Sequence, residues 1–239
     1  MDWITDERDF NRLSRRSLLK LSPVVLVGAF AIPKLRDSLL EKGLAFSDWA
    51  SSKWFRGGHL APTYRDSELT PITQFPLNSY DVDDPEIELE SWTLKVTGEV
   101  QRPGEYTLEQ IQALPRVRQN TRHICVEGWD LIGRFGGARI SDFLDLVGAD
   151  LRARFLSFEC ADDYYESLDL PTARHPQSLL CYEMYDQPLT REHGAPLRLS
   201  LPTKIGYKSA KYLTSLRVTN LLARKGYWEE QGYSSFYGL

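Results

Sequence analysis

One cysteine, Cys125, lies in a segment whose residue types suit metal or thiol chemistry. The segment reads R-H-I-C-V-E-G-W, and its pattern predicts a strand that ends in a glycine-containing turn. A neighbouring arginine and histidine, Arg122 and His123, favour the thiolate, which is the form that ligates metals. A lone cysteine among apolar neighbours is, however, more often an inert core residue. The surrounding sequence has to decide between these two interpretations.

A second group of residues carries positive charge, and no acidic residue occurs from 194 to 219. Arginine suits bidentate binding of phosphate, whereas lysine and loop amides suit charge compensation. A solvated charged loop is the alternative, but glycine, proline and apolar residues separate these charges. The pattern therefore predicts an anion pocket in a chain whose net charge is -4. The residues assigned to this predicted pocket are His193, Arg198, Lys208 and Lys211.

Three motifs follow one another along the chain. They read R-x-x-C-V-E-G-W, C-Y-E-M-x-x-x-P-L and H-G-x-P-L-R-L-x-x-P-x-x-x-G-x-K-S-x-K. Together they closely resemble the sulfite-oxidase superfamily, whose members bind one molybdopterin. The resemblance runs from Phe75 to the C-terminus. It implies the sulfite-oxidase fold and an oxidoreductase with a molybdenum–molybdopterin cofactor.

The resemblance also implies roles for individual residues. Cys125 matches the cysteine that ligates molybdenum, and a soft thiolate is the expected protein ligand beside the dithiolene sulfurs of the pterin. Glu127 and Tyr182 are candidates for proton relay or substrate orientation. Cys160 falls where a relative has a threonine near the pterin, and a small buried strand residue is its alternative. The residues expected to bind the cofactor beside Cys125 are Asn78, Asp81, Val82, Cys160, His193, Arg198, Lys208, Ser209, Ala210 and Lys211.

The expected reaction is two-electron oxygen-atom transfer. Sulfite oxidases have arginine at the position of Leu77, where it helps to hold the anionic substrate, and a leucine leaves the charge of sulfite poorly compensated. Tyr182, in contrast, matches the active-site tyrosine of the sulfite oxidases. Because of Leu77, we expect reduction of S-oxides or N-oxides. Oxidation of the sulfite-dehydrogenase type and a metal-free, non-enzymatic protein of the same fold are the alternatives.

The partners follow from what the sequence contains. No C-x-x-C-H motif for a covalently attached haem occurs, so we expect a separate electron-transfer partner, either a membrane b-type haem subunit or a soluble cytochrome. The substrate is expected to be a small molecule. The acidic net charge provides no electrostatic footprint for nucleic acid.

The N-terminus has the pattern of an export signal. Arg15 and Arg16 precede an apolar run over 21–32, and this combination is typical of the twin-arginine route. The run is shorter than the ~20 apolar residues of a spanning helix. We therefore predict a signal over 1–33 and a periplasmic protein, with membrane association through an uncleaved N-terminus as the alternative. A linker that wraps the domain is predicted over 34–74, and the molybdopterin-binding domain over 75–239.

The elements that must position these residues are mostly strands. Strands outnumber helices and the helices are short, so the predicted class is α+β with mixed β-sheets. Thr107 is the predicted N-cap of one helix, which Pro115 ends, and Ser141 is the predicted N-cap of another, which Gly148 ends. The predicted strands cover 92–100, 120–126, 154–160, 178–184, 197–201 and 213–219.

Overall fold

The computed structural model describes residues 59–78, 80 and 83–235, together with single residues between 37 and 50. The predicted signal over 1–33 and the predicted cofactor residues Asp81 and Val82 lie outside these residues. The chain divides into two compact units, Met1–Trp49 and Ala50–Leu239. In the first unit the described residues are helical, and the rings of Phe46 and Trp49 are 5.7 Å apart. No helix in the described part of the chain is long and apolar enough to cross a membrane.

The second unit contains a five-stranded sheet in the order β2-β1-β10-β5-β6. Strands β1 and β10 are parallel, with Val96 opposite Leu216, and the other neighbours are antiparallel. This mixture of directions is what the predicted class requires. The strands are β1 (Thr93–Gly98), β2 (Gly104–Thr107), β5 (Phe155–Cys160), β6 (Tyr165–Asp169) and β10 (Leu213–Thr219).

A second sheet is built on the order β3-β4-β7-β8, and β9 pairs with β7. Strands β3 and β4 form a long hairpin, and the turn between them contains Cys125. The sequence pattern missed β4 because glycines interrupt it. At one of them, Gly137, an added Cβ would lie 2.1 Å from the Leu180 carbonyl oxygen, so the bulged pairing with β7 requires glycine. The strands are β3 (Arg116–Ile124), β4 (Asp130–Arg139), β7 (Leu179–Met184), β8 (Gln187–Pro188) and β9 (Arg198–Ser200).

The helices are short, as predicted, and local capping sets their limits. Thr107 caps α1 through a reciprocal capping box with Gln110. The predicted cap at Ser141 is wrong, because α2 begins two residues further back at Ile140, while Gly148 ends it with φ 64°. The α-helices of the second unit are α1 (Leu108–Gln112), α2 (Ile140–Val147), α3 (Leu170–Ala173) and α4 (Tyr227–Glu230). Single 3-10 turns are Asp66–Glu68, Ile72–Gln74, Arg191–His193 and Gly206–Lys208.

Residues 59–75 run along the β3–β4 hairpin. The Tyr64 amide donates to the Asn120 carbonyl at 3.1 Å, and the Thr70 amide donates to the Ile132 carbonyl at 2.9 Å. The Arg134 guanidinium, on β4, forms ion pairs with Asp66 at 2.6 Å and with Asp186 at 2.7 Å. The segment therefore follows the domain surface, and Arg134 is engaged there.

The main core lies where the first sheet packs on α2 and on the inner residues of β7 and β9. It includes Leu94, Val96, Phe143, Leu156 and Leu216, all fully buried. A smaller apolar cluster on the second sheet contains Phe135, Leu179 and Met184. The fold is therefore α+β with mixed sheets, as predicted.

Replacing Leu156 by alanine is expected to lower the free energy of unfolding by ~2–5 kcal/mol, because a fully buried leucine on a central strand leaves a cavity. Leu151→Ala is the matched control, since Leu151 is 64% exposed and its loss should change stability by less than about 0.5 kcal/mol. Denaturant titration followed by circular dichroism measures both. Equal effects of the two substitutions would contradict the assigned core.

Candidate active site

A cleft of about 440 Å³ opens where the turn between β3 and β4 faces the 3-10 turn Gly206–Lys208 and α4. Most of the predicted site residues line it. They are Asn78, Cys125, Glu127, His193, Arg198, Ser209, Ala210 and Lys211. Residues far apart in sequence therefore meet around one cavity, which is the size range of a cofactor pocket.

Cys125 occupies a tight turn at the end of the hairpin. Its amide donates to the Trp129 carbonyl at 2.9 Å, and the Gly128 amide donates to the Cys125 carbonyl at 3.2 Å. Gly128 has φ 93°, which residues with a Cβ rarely adopt, so the glycine makes this turn possible. The turn leaves the thiol half-buried at the cleft.

Neither Arg122 nor His123 lowers the pKa of the Cys125 thiol. Burial raises the pKa of the thiol, and the Glu127 carboxylate raises it further. Arg122 instead bonds to Asp130 on β4 at 2.6 Å. Burial lowers the pKa of His123 to about 3, and the charge of Arg198 acts in the same direction, so the imidazole is neutral. The expectation that these two residues favour the thiolate is therefore wrong, and a bound metal ion would supply the positive charge that favours it.

Glu127 is the acidic residue beside the thiol. One of its carboxylate oxygens accepts hydrogen bonds from the Asn78 amide at 2.7 Å and from the Trp129 indole at 2.9 Å, and it lies 3.9 Å from the Cys125 sulfur. The hydrogen bonds from Trp129 and Asn78 lower the pKa of this carboxyl group. Asn78 therefore lies at the cleft, and its side chain orients Glu127.

Arg198, the first residue of β9, is buried at the opposite wall. Its guanidinium donates to the carbonyls of His193 at 3.0 Å, Leu199 at 3.3 Å and Ser209 at 3.4 Å. None of the ion pairs found among the described residues includes Arg198. Burial lowers its pKa, although a guanidinium stays charged at neutral pH. A buried cation without a carboxylate leaves a site for an anion.

Lys211 and His193 lie beside Arg198. The Lys211 ammonium donates to the Glu192 carbonyl at 2.9 Å and to the Tyr212 hydroxyl at 3.1 Å, and it is 3.6 Å from the Asp84 carboxylate. Burial lowers the pKa of both Lys211 and His193. Gly194, with φ 98°, lets the chain pass Lys211 closely, because an added Cβ would lie 2.9 Å from the lysine Cβ.

These walls fit molybdopterin. The thiol can ligate a soft metal, and the buried guanidinium, the ammonium and the Ser209 segment can bind the phosphate and the polar pterin. No group of three or more histidine, cysteine or acidic side chains that could hold a metal ion occurs in the described part of the chain.

Three predicted site residues do not line the cleft. Tyr182 points into the main core from β7 and is 4% exposed. Cys160, on β5, is also part of that core, which agrees with its alternative interpretation. Lys208 is buried in ion pairs with Glu166 and Glu229, so it is not available to an external anion. Its expected anion-binding role is wrong for that reason.

The sequence interpretation missed several residues that line the cleft. Tyr164 and Asp162 come from the turn before β6, and no motif marks them. Tyr227 and Trp228 come from α4. Their signal was present, because this tail belongs to the segment that resembles the family, but no role was assigned to it.

Residues 81–228 match the family described as the oxidoreductase molybdopterin binding domain. A putative protein-methionine-sulfoxide reductase subunit YedZ1 of Azospira oryzae is 46% identical over 195 residues, which is 81% of this chain and 73% of that protein. The protein-methionine-sulfoxide reductase catalytic subunit MsrP of Pseudomonas syringae pv. tomato is 28% identical over 87% of this chain and 72% of its own. The same subunit of Xanthomonas campestris pv. campestris is 31% identical over 55% of this chain and 46% of its own.

Among solved structures, the sulfane dehydrogenase SoxCD from Paracoccus pantotrophus is similar to 59% of this chain and 41% of its own, with a TM-score of 0.55. At 19% identity this likeness supports the fold alone. The chain belongs to the molybdopterin-binding oxidoreductases of the sulfite-oxidase superfamily. It is an oxidoreductase that uses a molybdenum–molybdopterin cofactor, as the motifs predicted.

Arg198→Gln is expected to weaken cofactor binding roughly tenfold to a hundredfold, because one or more charge-assisted hydrogen bonds to the anion are lost. The measurement is molybdenum and pterin per chain in protein purified after limited cofactor supply. Arg217→Gln is the matched control, since Arg217 is an exposed strand residue. Equal molybdenum contents of Arg198→Gln and wild type would remove Arg198 from the anion site.

Proposed function

We propose that this protein reduces neutral S-oxides or N-oxides by two-electron oxygen-atom transfer at a molybdenum ion bound by Cys125. The observation that carries the proposal is the charge at the thiol. The charged group that acts on Cys125 is the Glu127 carboxylate, 3.9 Å away. A neutral oxide needs no cation at this position, whereas sulfite would meet a negative charge. The names of the relatives, which describe protein-methionine-sulfoxide reductases, support the same reaction.

Arginines elsewhere do not supply the missing cation. Arg122 and Arg134 are held in ion pairs with Asp130, Asp66 and Asp186, and neither lines the cleft. Leu77 is the position at which the sequence differs from the substrate-binding arginine of sulfite oxidases. That side chain is 60% exposed and outside the cleft lining, so the exclusion of sulfite is attributed to Glu127 instead.

The protein's part in the reaction is to bind and orient. Cys125 would hold the metal, and Arg198, Lys211 and the Ser209–Ala210 segment would hold the phosphate and pterin. When bound, the cofactor supplies the redox chemistry that accepts an oxygen atom and passes two electrons. Glu127, fixed by Asn78 and Trp129, is placed to orient substrate or to exchange a proton at the cleft mouth.

The reaction consumes two electrons and two protons for each oxide reduced, and the oxygen leaves as water. We propose that the electrons come from a separate partner, a membrane b-type haem subunit or a soluble cytochrome. The twin-arginine pattern at Arg15 and Arg16 supports export to the periplasm with the cofactor already inserted. An uncleaved N-terminus that associates with the membrane is a further part of this proposal.

We predict that the molybdenum-loaded protein reduces methionine sulfoxide or dimethyl sulfoxide with a reduced viologen dye, and oxidises sulfite weakly with a cytochrome acceptor. Glu127→Gln should lower the KM for sulfite by roughly tenfold, since a repulsive charge near the metal site is removed. Leu77→Arg, which adds a cation outside the cleft, is the comparison and should change this KM little. Efficient sulfite oxidation by wild type without reduction of any oxide would favour the dehydrogenase alternative.

Cys125→Ser is expected to keep its pterin and to lose nearly all turnover, because a hydroxyl is a poor ligand for this metal while the anion-binding residues are unchanged. Cys181→Ser is the control, since Cys181 is buried outside the cleft and its thiol donates to the Glu183 carbonyl. Pterin content, molybdenum content and steady-state turnover are measured for both. Full activity of Cys125→Ser with stoichiometric molybdenum would exclude Cys125 as the ligand.

The metal-free alternative is tested by the molybdenum content of wild-type protein purified from its native host. Absence of molybdenum from that protein would favour this alternative.

A further inference from the structure

Behind one wall of the cleft, two carboxylates share one ammonium. The Lys208 ammonium donates to Glu166 at 2.7 Å, to the Ser167 carbonyl at 3.0 Å and to Glu229. The three charged side chains are at most 1% exposed. We call Glu166, Lys208 and Glu229 the buried triad. None of the three lines the cleft.

The buried triad carries one more acid than base. With both carboxylates ionised, a net negative charge would be buried, which is unfavourable because the buried ion loses its hydration. One oxygen, Glu229 Oε2, is buried without a hydrogen-bond partner. Burial, together with repulsion from Glu229, raises the pKa of Glu166 to about 8 despite the attraction of Lys208. The favoured state at neutral pH therefore contains one bound proton shared within the pair.

The hydrogen bonds indicate where that proton lies. Oε1 of Glu166 already accepts from Lys208 and from the Ser167 amide at 2.7 Å, whereas Oε2 faces the Tyr164 hydroxyl at 3.3 Å. The single hydrogen of Tyr164 has a closer acceptor in the Tyr207 carbonyl at 2.7 Å. A proton on Oε2 of Glu166 therefore has an acceptor in the Tyr164 oxygen, and the two hydroxyl groups form a chain.

Tyr164 lies between the buried triad and the cleft, because it contacts Glu166 and is also one of the residues that line the cavity. On the other side, α4 carries Glu229 and also Tyr227 and Trp228 of the cleft wall. Gly226 permits this approach, since an added Cβ would lie 2.1 Å from Glu229 Oε2 and 2.5 Å from Glu166 Oε1. The backbone is thus fitted closely around the two carboxylates.

We propose that the buried triad is a proton-holding site, which passes one proton through Tyr164 into the cleft during reduction of the oxide. In this step the Tyr164 O–H turns from the Tyr207 carbonyl toward the cleft and releases its hydrogen there, while its oxygen accepts the proton of Glu166. This inference rests on the proposed function. The oxide oxygen leaves as water, two electrons come from the reduced donor, one proton comes from the buried triad and the other from solvent. Solvent then restores the proton on the pair. The charged and titratable groups that face Glu166 are Lys208, Glu229, Tyr164 and the Cys160 thiol.

The test compares Glu166→Gln with Glu230→Gln in the molybdenum-loaded protein. Glu230 follows Glu229 on α4, is exposed and accepts a hydrogen bond from the Tyr165 hydroxyl. It is therefore the matched control, a glutamate of the same helix outside the buried triad. Infrared difference spectra of wild type across pH 8 should show a protonated carboxylic acid that titrates. Glu166→Gln should lack this band and Glu230→Gln should keep it.

Turnover provides the second measurement, with methionine sulfoxide and a reduced viologen dye. Wild-type kcat should fall as pH rises through the Glu166 pKa of about 8, because the proton is then lost. In Glu166→Gln, kcat should be roughly a hundredfold lower and lose this alkaline decline, while KM and molybdenum content stay unchanged. Tyr164→Phe should lower kcat similarly yet retain the infrared band, because it breaks only the connection.

A wild-type spectrum without a titrating carboxylic acid would overturn the proposal, and so would an alkaline decline in Glu166→Gln equal to that of wild type. If Glu166→Gln does not bind molybdenum, Tyr164→Phe decides, and wild-type kcat in that variant would overturn the proton path. A titrating band in a wild-type protein that reduces no oxide would refute the proposed function and leave the proton site itself standing.

Discussion

The architecture of the site depends on one buried guanidinium. Arg198 donates its hydrogen bonds to three backbone carbonyls and has no carboxylate partner among the described residues. Burying such a charge is costly unless an anion completes it. Two of those carbonyls come from the 3-10 turn Arg191–His193 and from the loop after Gly206–Lys208, and these two segments also supply the polar wall of the cleft. Binding of the anionic cofactor and stability of this wall are therefore coupled.

The two sheets bring this wall opposite the thiol. Strand β9 pairs with β7 and starts at Arg198. The turn that joins the end of β3 to the start of β4 contains Cys125. The Arg198 guanidinium and the Cys125 thiol thus belong to different walls of one cavity. Glu127, beside the thiol, is fixed by Asn78 and Trp129. On the other wall, Asp84 lies 3.6 Å from the Lys211 ammonium, whereas Arg198 has no carboxylate partner among the described residues. In the proposed function, this one small cleft would bind an anionic cofactor and admit a neutral substrate.

Local motifs predicted much of the site. Each of the two motifs that contain Cys125 and Arg198 contributes residues to the cleft, because each contains a short turn or strand whose own chain sets its geometry. Pairings between distant residues could not be predicted. Lys208 has no acidic neighbour in sequence but meets Glu166 and Glu229 in the fold, and Arg122 meets Asp130 across the hairpin. The inward side of β7 likewise decides the burial of Tyr182, which the motif alone does not reveal. Strand β4 was not predicted because it contains glycines, and one of them, Gly137, allows close backbone contact with β7.

The central claim is that the cleft between Cys125 and Arg198 holds molybdenum through one protein sulfur. X-ray absorption at the molybdenum edge tests it most directly, with wild type and Cys125→Ser compared at equal oxidation state. The account predicts stoichiometric molybdenum in wild type and the loss of one sulfur scatterer in the variant, with the pterin sulfurs retained. An identical sulfur coordination in the two proteins would contradict it.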